Sequence, residues 1–306
     1  MAPPGAPLPA TKYFWGDSPE PDEHYASLGL RHTESYYQSP CGRLFTHSFH
    51  PLSAAHDGDV KAVVFMTHGY GSDTSWLFQY IAISYAQWGY AVYCADLLGH
   101  GRSDGVHGYL GDMESVARAS LSFFLSVRKT TAYAPLPAFL LGESMGGAAT
   151  LLMYLLSPPD AGWTGIIFSP LFLIPEDRMV VKAIRDPEKL KVIASNPRRY
   201  CGAPRVGTMR ELARITELLQ ESFGEVTVPF LALHGTDDGV AAPEGSKMLY
   251  DRAPSEDKSL ILYEGMYHSL IQGEPDESRD RVLADMRAWI DERVRRYGSA
   301  AVPAPA

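Results

Sequence analysis

Cysteine is scarce: the 306 residues hold three, Cys41, Cys94 and Cys201, far apart and odd in number. With no CxxC pair, neither a disulfide framework nor a zinc ribbon is expected, and a reducing compartment fits. Long apolar runs are missing as well, and no stretch approaches the roughly 18 residues a spanning helix needs. Basic charge is in the minority, with 27 Lys and Arg against 36 Asp and Glu, a formal net charge of −9. An acidic chain without a basic block is a poor partner for nucleic acid or anionic lipid. No Walker A loop and no G-x-G-x-x-G turn follows a strand pattern, so no cofactor is expected. The first ten residues lack a basic n-region and an apolar h-region, which points to the cytosol rather than a secretory route.

What is present is a core-forming chain, 45% hydrophobic and 21% charged. A hairpin is expected around the turn Ser39–Gly42, joining residues 34–38 to 44–49. Short apolar runs then alternate with helical spacing: strands at 62–66, 91–95, 137–141, 165–169, 229–233 and 260–263, helices at 75–88, 113–128, 145–156 and 276–297. Strands that are apolar throughout belong in a sheet covered on both faces, and their alternation with helices implies parallel pairing and an α/β fold. The alternation breaks once, over residues 170–225. Asp186-Pro187 reads there as a helix N-cap with proline at the first position, and Thr208-x-x-Glu211 as a capping box opening a second helix. The expected division is a Pro-rich tail (1–12), a core (13–169), a helical cap (170–225), the rest of the core (226–298) and a tail (299–306).

The sharpest chemical signal is Gly142-Glu-Ser144-Met-Gly146, because it follows a strand and opens a helix, the context a nucleophile elbow requires. Gly142 and Gly146 leave room for the sharp bend that lifts Ser144 clear. A serine hydroxyl needs a base held by an acid, and on such a fold both follow it in the chain. His268 is the only histidine after His234, and the stretch Leu233–Asp238 leaves a strand with two carboxylates, Asp237 and Asp238. His234 is read as a buried histidine bonded to backbone. Two backbone N–H groups should face the reacting carbonyl. Met145, after the nucleophile, supplies one, and Tyr70, in the loop with Gly69 and Gly71, supplies the other. Asp96, His100 and Asp104 are read as ties between loops; no second histidine stands at ligand spacing, so no metal is expected.

These stretches resemble the plant monoacylglycerol-lipase-like branch of the α/β-hydrolases. The resemblance is carried by His68–Trp76, Asp96–Gly105, Gly142–Gly147, Pro197–Tyr200, Pro204–Leu212 and Glu264–Glu277, and it runs from Phe14 almost to the end. It implies an α/β-hydrolase fold, a mostly parallel central sheet with helices on both faces and a helical cap. It also implies a Ser144, Asp238, His268 triad, since the acid of the pattern His-Gly-x-x-Asp is its fifth residue. The implied activity is carboxylic ester hydrolysis of a small-molecule ester, with caffeoyl shikimate, monoacylglycerols and lysophospholipids competing as substrate. A non-catalytic ligand-binding protein on the same fold is the alternative from another class. Oligomeric state and transient membrane contact stay open. In this branch the cap is longer between the positions of Asp177 and Met179, so a mostly apolar helical stretch is expected to be absent here.

Overall fold

The computed structural model describes residues 12–13, 16–17, 21–75, 78–171 and 182–298. Residues 1–11, Trp76, the stretch around Asp177 and Met179 where a shortened cap is expected, and residues 299–306 lie outside the described residues. In chain order the elements are β1 (Lys12–Tyr13), β2 (Gly16–Asp17), α1 (Pro21–Ser27), β3 (Leu30–Ser39), β4 (Gly42–Pro51), β5 (Val63–Thr67), α2 (Gln79–Gln87), β6 (Ala91–Ala95), α3 (Met113–Arg128), β7 (Ala138–Ser144), α4 (Met145–Leu155), β8 (Gly165–Leu171), α5 (Pro187–Ala194), α6 (Val206–Glu221), β9 (Phe230–Gly235), α7 (Pro243–Arg252), β10 (Lys258–Tyr263) and α8 (Asp276–Tyr297).

Eight strands form one sheet in the order β10-β9-β8-β7-β5-β6-β4-β3. From β10 to β6 every pairing is parallel, while β4 joins β6, and β3 joins β4, antiparallel. The apolar strands divide their residues between two cores because successive side chains point to opposite faces. On one face Val63, Phe65, Leu140, Ile166, Phe168, Phe230 and Ala232 pack with residues of α3, α4 and α6. On the other, Val64, Met66, Leu141, Ile167, Leu231 and Leu233 meet α2 and α8, the latter through Val282, Met286, Trp289 and Ile290. Two helices went unread in the sequence, α1 and α7.

Between β8 and β9, among the described residues, the chain forms helices and no strand. Asp186 caps α5 as expected, its Oδ1 accepting from the N–H groups of Glu188 and Lys189. The capping box expected at Thr208 is not made, and α6 begins earlier, at Val206. Thr208 Oγ1 instead serves the loop before α3, through Gly108 O and Leu110 N–H, and Glu211 accepts from Met113 N–H. Tertiary partners have outcompeted the local motif. α6 then lays Leu212, Ile215 and Leu219 into the core it shares with α3 and α4.

Candidate active site

β7 runs into Ser144 and α4 starts at the next residue, so the serine sits on the bend itself. Its φ of 55° is the only positive value at a non-glycine among the described residues. A side chain held there costs on the order of 1–3 kcal/mol, and such outliers gather at functional sites. The bend is tight enough to demand its glycines. A Cβ at Gly142 would lie 2.4 Å from Gly146 O, and one at Gly146 would lie 2.3 Å from Thr67 O.

Two strand ends bring the partners. His268 lies beyond β10, and its Nε2 accepts from Ser144 Oγ at 2.7 Å. Its Nδ1–H donates to Asp238 Oδ2, also at 2.7 Å. Asp238, beyond β9, is buried, and its other oxygen accepts from Val240 and Ala241 N–H at 2.7 and 2.9 Å. Burial would push this carboxyl up, but hydrogen bonds from the His234 and His268 imidazoles hold it well below the usual carboxylate range. Asp237 turns the other way, half exposed, and pairs with Lys182 Nζ at 3.2 Å. His234 does bond to backbone, at Ala241 O, and it also accepts from Ser246 Oγ. Its Nε2 lies 3.1 Å from Asp238 Oδ2 as well, so the acid meets two imidazoles.

The loop after β5 lies against the serine. The Gly69 position is 3.2 Å from Ser144 Cβ, measured from an added Cβ. Leu97 N–H donates to His68 Nε2, which leaves His68 Nδ1–H to hold Gly69 O at 2.8 Å. The two ends of a trans peptide point opposite ways, so fixing Gly69 O turns Tyr70 N–H away from His68. Gly71, at φ 70°, accepts from Tyr200 N–H. Asp96 braces the loop through Thr74 N–H and Oγ1 and also takes Arg102 N–H; Asp104 takes Arg43 N–H, whereas His100 Nδ1 stays within its own loop, on Leu98 O.

Several buried contacts had no signature in the sequence. Gln272 Nε2 donates to Glu143 Oε2 at 2.7 Å, joining the residue before Ser144 to the loop that carries His268. Burial pushes the Glu143 carboxyl up to about 7, against the opposing pull of Gln272 and His268. Glu274, whose carboxyl burial also raises, accepts from Tyr267 N–H and steadies the loop beside His268. On other strands and outside the Ser144–His268–Asp238 cluster, His32, Glu34 and His47 place ligand atoms within 4.8 Å of one another. The Arg102 guanidinium occupies that trio, donating to Glu34 at 2.9 and 3.1 Å and to His47 Nε2 at 2.8 Å.

The sequence profile of the serine aminopeptidase S33 family (Hydrolase_4) matches residues 58–184 and 177–276, more than half of the chain. The chain belongs to this family. Within it, the chain is 57% identical to the caffeoylshikimate esterase of Arabidopsis thaliana, over 94% of this chain and 93% of that one. It is 29% identical to the monoglyceride lipase of Homo sapiens, over 80% and 88%. The crystal structure of the Paleococcus ferrophilus monoacylglycerol lipase superposes with a TM-score of 0.66 at 19% identity, over 82% of this chain and 99% of that one. A soluble variant of the Saccharomyces cerevisiae monoglyceride lipase gives 0.68 at 22%, over 85% and 94%. The fold is that of the α/β-hydrolases, and the protein is a carboxylic ester hydrolase. The two pieces of the family profile meet at residues 177–184, the neighbourhood of Asp177 and Met179.

Proposed function

We propose that this family member hydrolyses caffeoyl shikimate to caffeate and shikimate, with Ser144 as nucleophile, His268 as base and Asp238 as acid. The observation that carries the mechanism is the unbroken relay from Ser144 Oγ through His268 to Asp238, two hydrogen bonds of 2.7 Å each. The substrate rests on the 57% identity to the Arabidopsis caffeoylshikimate esterase.

Ser144 Oγ attacks the ester carbonyl while His268 Nε2 takes its proton. Asp238 fixes the imidazole tautomer and stabilises the imidazolium. Tyr70 and Met145 N–H groups receive the oxyanion, aimed where the charge develops. Collapse breaks the acyl–oxygen bond, and His268 returns the proton to the departing shikimate oxygen. Water then attacks the caffeoyl-enzyme, giving its proton to His268, and caffeate leaves as Ser144 is restored. Among the described residues of the segment between β8 and β9, those from 182 onward are read as a cap bordering the acyl and alcohol sites, where specificity between esters would reside. No helix among the described residues is long and apolar enough to cross a membrane, in keeping with a soluble ester met in the cytosol.

The test is kcat/KM on caffeoyl shikimate, monoolein and lysophosphatidylcholine, measured separately. Caffeoyl shikimate should lead. Monoolein in first place would transfer the assignment to the monoglyceride lipases, which the 29% identity to the human enzyme supports.

A further inference from the structure

We infer that residues 182–200 form a strap that keeps the catalytic histidine and the oxyanion loop in mutual register, latched by Asn196 on Asp73. Both latch residues are positioning residues for ester hydrolysis. The inference rests on the roles assigned above to His268 and Tyr70.

The first end of the strap is bonded to the histidine loop. His268 N–H donates to Lys182 O and Ser269 N–H to Ala183 O, while Arg185 and Asp186 N–H both donate to Gly273 O at 2.9 Å. Lys189 Nζ adds a bond to Glu274 O at 2.6 Å. The second end is bonded to the loop that carries Tyr70. Tyr200 N–H donates to Gly71 O at 3.0 Å, and Asn196 Nδ2 donates to Asp73 Oδ1 at 3.0 Å. Asn196 is itself held, its Oδ1 accepting from Arg198 N–H, and Arg198 reaches on to Ser75 Oγ. Between the ends lies α5, none of whose residues is buried. Apart from the Lys189 bond back to the histidine loop, α5 puts no buried residue into the core, so the strap is held chiefly where its two ends are bonded.

The latch has an unusual composition for a purely structural contact. Asp73 is 1% exposed, and Arg198, the cation beside it, stays 3.8 Å from its carboxyl. Its oxygens accept instead from the Asn196 amide and the Ser75 hydroxyl, the latter at 2.5 Å. A buried carboxyl satisfied by directional neutral donors is costly to desolvate but strict in geometry. Such strictness matters three residues from Tyr70, because an oxyanion donor loses its effect when misplaced by a fraction of an ångström. On its other side the loop is already pinned by Asp96 through Thr74. The latch completes the clamp from the side of the strap.

The experiment breaks the latch and then remakes it in reverse. Asn196→Ala and Asn196→Asp both remove it, the second by facing two carboxyls. Adding Asp73→Asn to Asn196→Asp restores an amide–carboxyl pair with the roles exchanged. The single variants should lose roughly tenfold in kcat, short of the loss from deleting an oxyanion donor outright, with KM nearly unchanged. The loss should be the same on caffeoyl shikimate and on p-nitrophenyl acetate, because the oxyanion is common to both. Affinity for phenylboronic acid, which mimics the tetrahedral adduct, should fall in step, and the exchanged pair should recover most of all three. A lowered Tm with unchanged kcat overturns the inference. So does a loss confined to caffeoyl shikimate, which would make Asn196 a substrate contact, or an exchanged pair as poor as Asn196→Asp. If the unaltered protein cleaves p-nitrophenyl acetate but not caffeoyl shikimate, the substrate assignment fails while the latch is still read.

Discussion

Asp238 and Glu143 are both buried carboxyls that feel His268, yet the chain surrounds them with different partners. Asp238 receives two backbone N–H groups and two imidazoles, and these outweigh its burial. Glu143 receives one amide, from Gln272, and burial dominates, so its carboxyl is raised to about 7. The same residue chemistry thus yields one carboxyl whose charged form is held by its partners and one whose charged form burial disfavours. Hydrogen-bond donors offset the burial of Asp238, and the single amide at Glu143 does not.

This contrast can be broken or sharpened by substitution. Removing the serine that bonds His268 sets the floor. Ser144→Ala should cost on the order of 10⁵–10⁶ in kcat and abolish labelling by a fluorophosphonate, which wild type should take up at Ser144 alone. Asp238→Asn should cost about 10⁴ in kcat, because the amide favours the wrong imidazole tautomer. Glu143→Gln should cost less than about tenfold, since the isostere keeps a partner for Gln272; equal losses at the two positions would end the contrast.

Stability against pH separates them further. A carboxyl raised from 4.5 to about 7 in the folded state binds its proton more tightly there than when unfolded. Its contribution is intact below pH 4.5 and lost as pH rises through about 7. Denaturant titrations should therefore show Glu143→Gln gaining about 3 kcal/mol on wild type between those limits. Asp238 runs the opposite way, its contribution present above its ordinary value of 3.8 and lost as the pH falls further into acid. The smallest effect is expected at Asp237, whose exposed pairing with Lys182 is worth less than about 1 kcal/mol. Asp237→Asn should leave kcat within about twofold of wild type.

Much of this arrangement can be read from local pattern. Ser144 and His268 announce themselves through an elbow and through a histidine after the last strand. Choosing between Asp237 and Asp238 from the residues alone was not open, because the choice depends on which way the turn after β9 points. There Val240 and Ala241 N–H groups capture one carboxyl and Lys182 the other. The contacts that escaped reading are those between distant residues, Glu143 with Gln272 and Asp73 with Asn196, which no periodicity encodes. The helices that escaped are those with little apolar signal. α7 buries Pro243, Gly245, Ser246 and Leu249, so small residues do the packing and the 3.6 period is invisible. α1 has one buried aromatic, Tyr25, among polar neighbours.

The left-handed backbone of Ser144 has a consequence for how this position tolerates change. Alanine ordinarily outranks glycine in a folded chain, because glycine has more freedom to lose. At φ 55° the order should invert, and Ser144→Gly should melt above Ser144→Ala although neither turns over substrate. Folding alone would favour a glycine here, so a serine at this position runs against the preference of its own scaffold, as the proposed nucleophile role requires.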